Sequence, residues 1–421
     1  MKIGLFTDTF LPDTNGVVTV IQTMERELTR EGHEVHIFAP AYPGWYGNEP
    51  RVHRFPSLRF PFYPGMRMAV PYNHEASEII PSLNVIHSHD PGSLGLLALQ
   101  ASERYRIPHV HTYHTFYAEY RHYLPLPLRP SRRMVIQLSR NFCNSCDVVI
   151  APSLQMKREL ESYGINRPIY PLPFGVDAEE FSRQIEWNVR AELGLPTEDL
   201  LLFAGRLGKE KNLTFLLRAF KRLLSYHDTA RLIIAGDGPQ RQTLQRYAVE
   251  LGIFPYVIFT GVLERKRLID LYKQTLFVFA SKTETQGMVL VEAMMADSPV
   301  VAIGKMGILD VVHPGDTGIL VEENEDEFAR ACQRLLEDKA EREKMGKAAH
   351  KWACSQTAQA STRKLLEIYL AAGAHESVAK TTLTGRKGCN QVSLLGFPLF
   401  LIYLACRPLQ PNLLARSPQQ R

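Results

Sequence analysis

The segment Ser281–Asp297, SKTETQGMVLVEAMMAD, limits the folds open to this chain more than any other. It follows the apolar run Leu276-Phe277-Val278-Phe279-Ala280, too short for a helix and without alternation, which reads as a strand buried on both faces of a parallel sheet. A polar turn containing Gly287 leads into Met288–Met295, which reads as a helix. Strand, glycine turn and helix together aim backbone N–H groups and the positive end of a helix at an anion such as a phosphate. Two carboxylates bracket the turn: Glu284 precedes the helix and Glu292 lies about one turn inside it. Carboxylates beside a phosphate would repel it, so hydrogen bonds from sugar hydroxyls are their better use. An ordinary βα turn with solvated acids has the same letters, so the segment needs support from the rest of the chain.

That support comes from repeated βα alternation, and 421 residues are enough for two such domains. A strand at 3–7 and a helix from about Val18 to Arg30 flank the loop TFLPDTNG, whose Gly16 allows close backbone approach to a ligand. A strand follows at Glu34–Ala39. The loop lacks G-x-G-x-x-G, so the dinucleotide fingerprint is absent. Further strands are expected at Val85–His89, at His109–Thr115 with His114 at its carboxyl end, and at Asp147–Ala151. His109, His111 and His114 lack the i, i+4 spacing of a helical metal pair, so no metal is expected there. The prolines at 171 and 173 mark an interdomain linker. A second βα series begins at Leu200–Gly205, and Arg206 and Lys211 follow in GRLGKEKN before a helix at Leu213–Leu224. A planar guanidinium and a point-charge ammonium both suit a diphosphate. Strands at Arg231–Ala235 and Val257–Thr260 end in the turns GDGP, with Gly238, and Gly261-Val262. The last strands are Pro299–Ile303 and Gly318–Val321, with a helix at about 326–337.

Residues 43–72 interleave Trp45, Tyr46, Phe55, Phe60, Phe62, Tyr63, Met66 and Met68 with Arg51, Arg54, Arg59 and Arg67, and the prolines there argue for a long loop. Aromatic residues beside arginines suit an anionic membrane surface. The candidate helix Leu128–Cys143, with Arg132 and Arg133 just after Arg129, is basic and amphipathic, and either lies on lipid or covers the sheet. Charge elsewhere is balanced. Six of the 49 Lys and Arg lie after Glu376, where no acid occurs, leaving 43 against 44 Asp and Glu, so bulk charge excludes a nucleic-acid binder. Met1-Lys2 leads straight into a strand without a signal peptide, and the scattered cysteines suit a reducing compartment, with Cys143 and Cys146 as structural thiols. The apolar run Val392–Ala405 has 14 residues, short of the roughly 17–25 that cross a bilayer. No Asp-x-Asp triplet occurs, so a metal clamp on a diphosphate is not expected.

In FAGRLGKEKN, GDGP and the Glu-x7-Glu spacing of ETQGMVLVE, residues 1–375 resemble the retaining family 4 glycosyltransferases of GT-B fold. The resemblance implies two Rossmann-like domains, 1–175 and 176–354, facing across a cleft. It adds a crossover helix within 355–378, and leaves 379–421 as a tail outside the fold. It places Arg206 and Lys211 on the donor diphosphate with the backbone at Gly16, Glu284 on the sugar hydroxyls, Glu292 on the ribose, and His114 near the anomeric carbon. Gly238, Val262, Gln286, Gly287, Met288 and Val289 complete the implied donor set. The TETQG and TYHT segments and the aromatic loop are similar to the lipid branch, the diacylglycerol α-glucosyltransferases and sulfoquinovosyl-transferring relatives. The implied reaction moves glucose from a UDP-sugar to a lipid hydroxyl such as that of 1,2-diacylglycerol, with no cofactor and no metal, at the cytoplasmic face of a membrane. Phe60, Phe62, Tyr63, Arg67, Arg129, Arg132 and Arg133 are the expected lipid contacts. A soluble transferase that extends a saccharide and a non-catalytic nucleotide-sugar-binding protein remain the alternatives.

Overall fold

Apolar runs bounded by polar turns make parallel strands, and the helices that connect them cover both faces of the resulting sheets. The computed structural model describes residues 1–45, 47, 49–59, 67–124, 129–195 and 199–382, with side chains described to residue 373. The chain forms two compact units, Met1–Pro152 with Lys157–Leu172 and Thr362 onward, and Ser153–Met156 with Pro173–Ser361.

In the first unit the strands are β1 (Lys2–Phe6), β2 (Glu34–Pro40), β3 (Val52–Phe55), β4 (Ser57–Arg59), β5 (Arg67–Ala69), β6 (Val85–Ser88), β7 (His109–Thr112), β8 (Val148–Ala151) and β9 (Ile169–Pro171). Seven of them form a parallel sheet in the order β3-β2-β1-β6-β7-β8-β9, and β4 pairs with β5 antiparallel. Strand order reverses beside β1, where β2 lies on one side and β6 on the other. Ligands of open α/β sheets collect outside the strand carboxyl ends at such a point. Phe6 and Phe38 stack with centroids 4.3 Å apart, and Leu94, Leu97 and Ala98 of the helix Ser93–Tyr105 pack on them. The helix Ala358–Thr382 begins in the second unit and continues into the first. Its Leu365, Ile368, Tyr369 and Ala372 are buried at helical spacing, and the Tyr369 hydroxyl lies 2.7 Å from His87 Nδ1.

Two expectations change. Residues 43–72 are not one long loop, because β3, β4 and β5 lie within them. Pro56 and Pro71 sit outside these strands, where no ladder N–H is needed. Strand β3 shows the alternation of a half-covered edge, with His53 and Phe55 buried and Val52 and Arg54 partly exposed. In addition, β7 stops at Thr112, so His114 stands in the loop beyond it.

In the second unit the strands are β10 (Asp199–Ala204), β11 (Ala230–Ala235), β12 (Val257–Gly261), β13 (Leu276–Phe279), β14 (Val300–Ile303) and β15 (Gly318–Val321). They form a second parallel sheet in the order β12-β11-β10-β13-β14-β15. The reversal falls between β10 and β13, which pair directly. The helices Leu213–Leu224 and Glu325–Glu337 cover one another and the sheet, with Phe215 edge-on to Phe328 at 5.7 Å.

Candidate functional site

The switch point of the second sheet brings together two residues 73 positions apart. After β10 the chain runs through Gly205 and Arg206 to a short 3₁₀ turn, Lys209–Lys211, and Asn212 at φ 54° redirects it into the helix Leu213–Leu224. After β13 it runs through Ser281 to Glu284. Lys211 Nζ lies 2.6 Å from Glu284 Oε1, and the two side chains are 16% and 14% exposed. The Ser281 hydroxyl donates to the Glu210 carbonyl at 3.2 Å, tying the two loops at their base. Lys211 Nζ also stands 5.7 Å from the Phe279 ring centroid. Arg206 lies in the same loop and is partly buried. The switch point therefore brings together an ammonium suited to an anion and a carboxylate suited to hydroxyls.

The loops after β11 and β12 close onto the same place. Leu207 N donates to the Asp237 carbonyl at 2.9 Å, Gln240 N to the Leu207 carbonyl at 2.9 Å, and Gly236 N to the Gly261 carbonyl at 2.8 Å. Gly238 is packed so closely that a Cβ would stand 2.7 Å from Leu207 N and O. Val262, by contrast, is 67% exposed beyond β12.

Gly287 at φ 85° starts the helix Met288–Met295, and no side chain caps that end. The N–H groups of its first turn, among them those of Met288 and Val289, thus begin a helix with its positive end open to an anion. Gln286 is directed elsewhere: its amide nitrogen donates to the Phe174 carbonyl at 2.6 Å, and its oxygen accepts from Phe174 N at 2.9 Å. It pins the linker, so any ligand contact from Gln286 would come from its backbone. Glu292 is buried and gripped on both oxygens, Oε1 by Arg265 Nη1 at 2.7 Å and Oε2 by the Tyr272 hydroxyl at 3.1 Å. The sequence reading missed Arg265 and Tyr272. Their spacing of seven on one helix, Arg265–Tyr272, was the available signal, because residues seven apart share a face.

In the first unit, Gly16 opens the helix Gly16–Arg30, where a Cβ would meet nothing within 4 Å, and Asn15 caps it by accepting from Val17 N and Val18 N. Its switch point also holds an acid pair absent from the sequence reading. Asp8 follows β1 and Asp90 follows β6; Asp8 N donates to Asp90 Oδ2 at 3.2 Å, and the Thr7 hydroxyl donates to the same oxygen at 3.1 Å. Asp8 accepts from the Ser93 hydroxyl and from Leu94 N. Burial first, and then the Asp90 charge, push the Asp8 carboxyl up to about 7.

A group with a raised native pKa stabilises fully below its unfolded value and loses that contribution as pH rises through the native one. Asp8→Asn is therefore expected to gain roughly 2–4 kcal/mol relative to the parent between pH 4.5 and pH 8, measured by urea unfolding of both proteins at each pH. A difference that does not change with pH would contradict the assignment. The buried histidines pull the other way in both proteins and cancel in the difference. His114 Nε2 lies 2.9 Å from His89 Nδ1. Burial pushes His109, His111 and His114 down to about 3, and His87 and His89 well below their ordinary value, so His114 is neutral near pH 7.

The expected lipid contacts separate. Phe60, Phe62 and Tyr63 lie outside the described residues, as does the apolar run Val392–Ala405. Arg67 donates to the hydroxyl and carbonyl of Ser57 and lies over the Tyr42 ring. The basic helix spans Arg132–Ser145, and Arg132 pairs with Glu159 at 2.8 Å. Arg129 donates to the carbonyls of Leu124 and His122, while Arg133 and Met134 are exposed. Cys143 and Cys146 are free and buried, and burial pushes the Cys143 thiol up to about 12. Among the described residues, no helix is long and apolar enough to cross a membrane.

Residues 14–180 match the family model described as Glycosyltransferase Family 4, and residues 185–352 the model described as Glycosyl transferases group 1. The chain is 36% identical over 321 residues to an alpha-monoglucosyldiacylglycerol synthase of Streptococcus pneumoniae, covering 72% of this chain and 71% of that one. It is 28% identical over 347 residues to an alpha-monoglucosyldiacylglycerol synthase of Acholeplasma laidlawii, covering 77% and 86%. The solved structure of Anabaena HepE in complex with UDP and glucose is similar with a TM-score of 0.70 at 18% identity, covering 91% and 100%, a likeness of fold. Two parallel-sheet units, each matching its half of the same enzyme family, show that the chain belongs to the family 4 glycosyltransferases of GT-B fold.

Proposed function

We propose that this glycosyltransferase moves glucose from UDP-glucose to the hydroxyl of a membrane lipid such as 1,2-diacylglycerol, retaining the anomeric configuration and using no metal. The observation that carries the reading is the convergence of Lys211 and Glu284, 2.6 Å apart at the switch point of the second sheet. Lys211 and Arg206 take the diphosphate, together with the open helix end at Gly287–Val289. Glu284 accepts from the sugar hydroxyls and Glu292 from the ribose. Lys211 supplies charge that a metal clamp would otherwise supply, consistent with a sequence lacking an Asp-x-Asp triplet. The lipid hydroxyl forms its bond to the anomeric carbon on the face that the diphosphate leaves. The bond to the phosphate oxygen breaks, and a leaving phosphate oxygen takes the hydroxyl proton. The family resemblance assigns neutral His114 to the neighbourhood of the anomeric carbon.

The diacylglycerol acceptor is supported by the names of the two bacterial relatives. Peripheral membrane contact is supported by the exposed Leu58 and Tyr72, and by the exposed Met134 beside the exposed Arg133 on the helix Arg132–Ser145. Radiolabelled UDP-glucose incubated with the protein and diacylglycerol vesicles, with and without EDTA, tests the reading. Label in an α-glucosyl lipid in both samples is expected. Label transferred to free saccharides and not to vesicles would select the saccharide-extending alternative, and binding without transfer would make the chain a nucleotide-sugar-binding protein.

A further inference from the structure

Glu292 stands on the helix Met288–Met295, but its direction is set by two other elements. Arg265 and Tyr272 lie at the two ends of the helix Arg265–Tyr272, two turns apart on one face, and each holds one carboxylate oxygen. The guanidinium is itself fixed from the other side. Its Nε donates to Glu180 Oε2 at 2.9 Å, and its Cζ lies 5.4 Å from the Phe181 ring centroid, both residues belonging to the short helix Ala178–Ser182. An arginine fork held by two carboxylates and an aromatic face has little freedom to rotate. Each carboxylate oxygen accepts more than one hydrogen bond, so both of these contacts leave acceptor capacity on Glu292.

We propose that Arg265 and Tyr272 are positioning residues that orient Glu292 for the two ribose hydroxyls of the donor nucleotide. This rests on the ribose role given to Glu292 above. Without Arg265 the carboxylate can swing toward solvent or pair with a local donor, and the preference for a hydroxylated ribose weakens while contacts to base and diphosphate survive. Tyr272 is fully buried, so its hydroxyl acts on Glu292 alone and not on substrate. Lysine at 265 keeps the charge but cannot bridge Glu180 and Glu292 through a planar fork.

The test is calorimetric titration of UDP and of 2′,3′-dideoxy-UDP into the parent protein, E292Q, R265Q, R265K and Y272F, with thermal melts of each. The parent should prefer UDP by about 10-fold or more, the worth of one charge-assisted hydrogen bond. E292Q and R265Q should lose that preference to within about 3-fold with dideoxy-UDP affinity unchanged, and R265K and Y272F should lie between. Unchanged dideoxy-UDP binding separates loss of positioning from loss of folding. A parental preference in both R265Q and Y272F, with E292Q abolishing it, overturns the inference and leaves the role of Glu292 standing. A parental preference in E292Q as well removes that role and the inference with it.

Discussion

Lys211→Ala is expected to lower turnover about 10²–10³-fold, the usual loss when one preorganised donor to transition-state charge is removed. The expectation follows from position. Lys211 is delivered by a 3₁₀ turn and a left-handed Asn212 to the carboxyl end of β10, beside β13. Among the described residues this is where the connections of the second sheet diverge, and the proposal sets its ammonium there against a departing diphosphate. The variant should still fold. The Lys211–Glu284 pair is mostly buried, its side chains 16% and 14% exposed, so its loss costs more than the roughly 1 kcal/mol of a surface pair and less than the roughly 3–5 kcal/mol of a fully buried one. The double variant Lys211→Glu, Glu284→Lys restores the pair with its members exchanged, and should melt close to the parent while remaining inactive. Steady-state rates on vesicles and thermal melts of both variants check this. Parental turnover in Lys211→Ala would remove the diphosphate assignment.

Gly236→Ala should cost roughly 3 kcal/mol or more and disable the same site by a different route. Gly236 sits at φ 131°, a region closed to side-chain-bearing residues, and a Cβ there would stand 2.0 Å from the Gly205 carbonyl oxygen. The obstruction is backbone, so no rotamer change relieves it. Relief requires the turn after β11 to move away from the loop carrying Arg206, breaking the Gly236–Gly261 hydrogen bond and the ties between Leu207 and the GDGP turn. Urea unfolding should show the loss, and donor affinity at low temperature should fall with it. Stability within about 0.5 kcal/mol of the parent, the range of neutral surface changes, would contradict this account of the turn.

The strands of the second sheet were legible because a parallel sheet covered on both faces demands unbroken apolar runs, as in Leu276–Phe279 and Leu200–Ala204. The helix at Leu213–Leu224 was legible through its strong apolar stripe. The strands within 43–72 were not, since proline density hid the short alternation at Val52–Phe55. Lys211 and Glu284 could each be singled out from local spacing. Their meeting was implied by the family resemblance alone, because no local spacing tells that β13 lies beside β10 and not beside β12. The Asp8–Asp90 pair stayed hidden for the same reason, since β1 and β6 are neighbours only in the sheet. Arg265 stayed hidden because the partners its guanidinium bridges, Glu180 and Glu292, lie 85 and 27 positions away along the chain.

In the proposed reaction Lys211 and Glu284 divide the donor between them, the first taking phosphate and the second sugar. Calorimetric titration of UDP and UDP-glucose into the parent, Lys211→Ala and Glu284→Ala tests it most directly. Lys211→Ala should weaken both ligands about 10-fold, and Glu284→Ala should weaken UDP-glucose about 10-fold while leaving UDP unchanged, the size expected for a charged hydrogen bond. Parental affinity for both ligands in both variants would contradict the account.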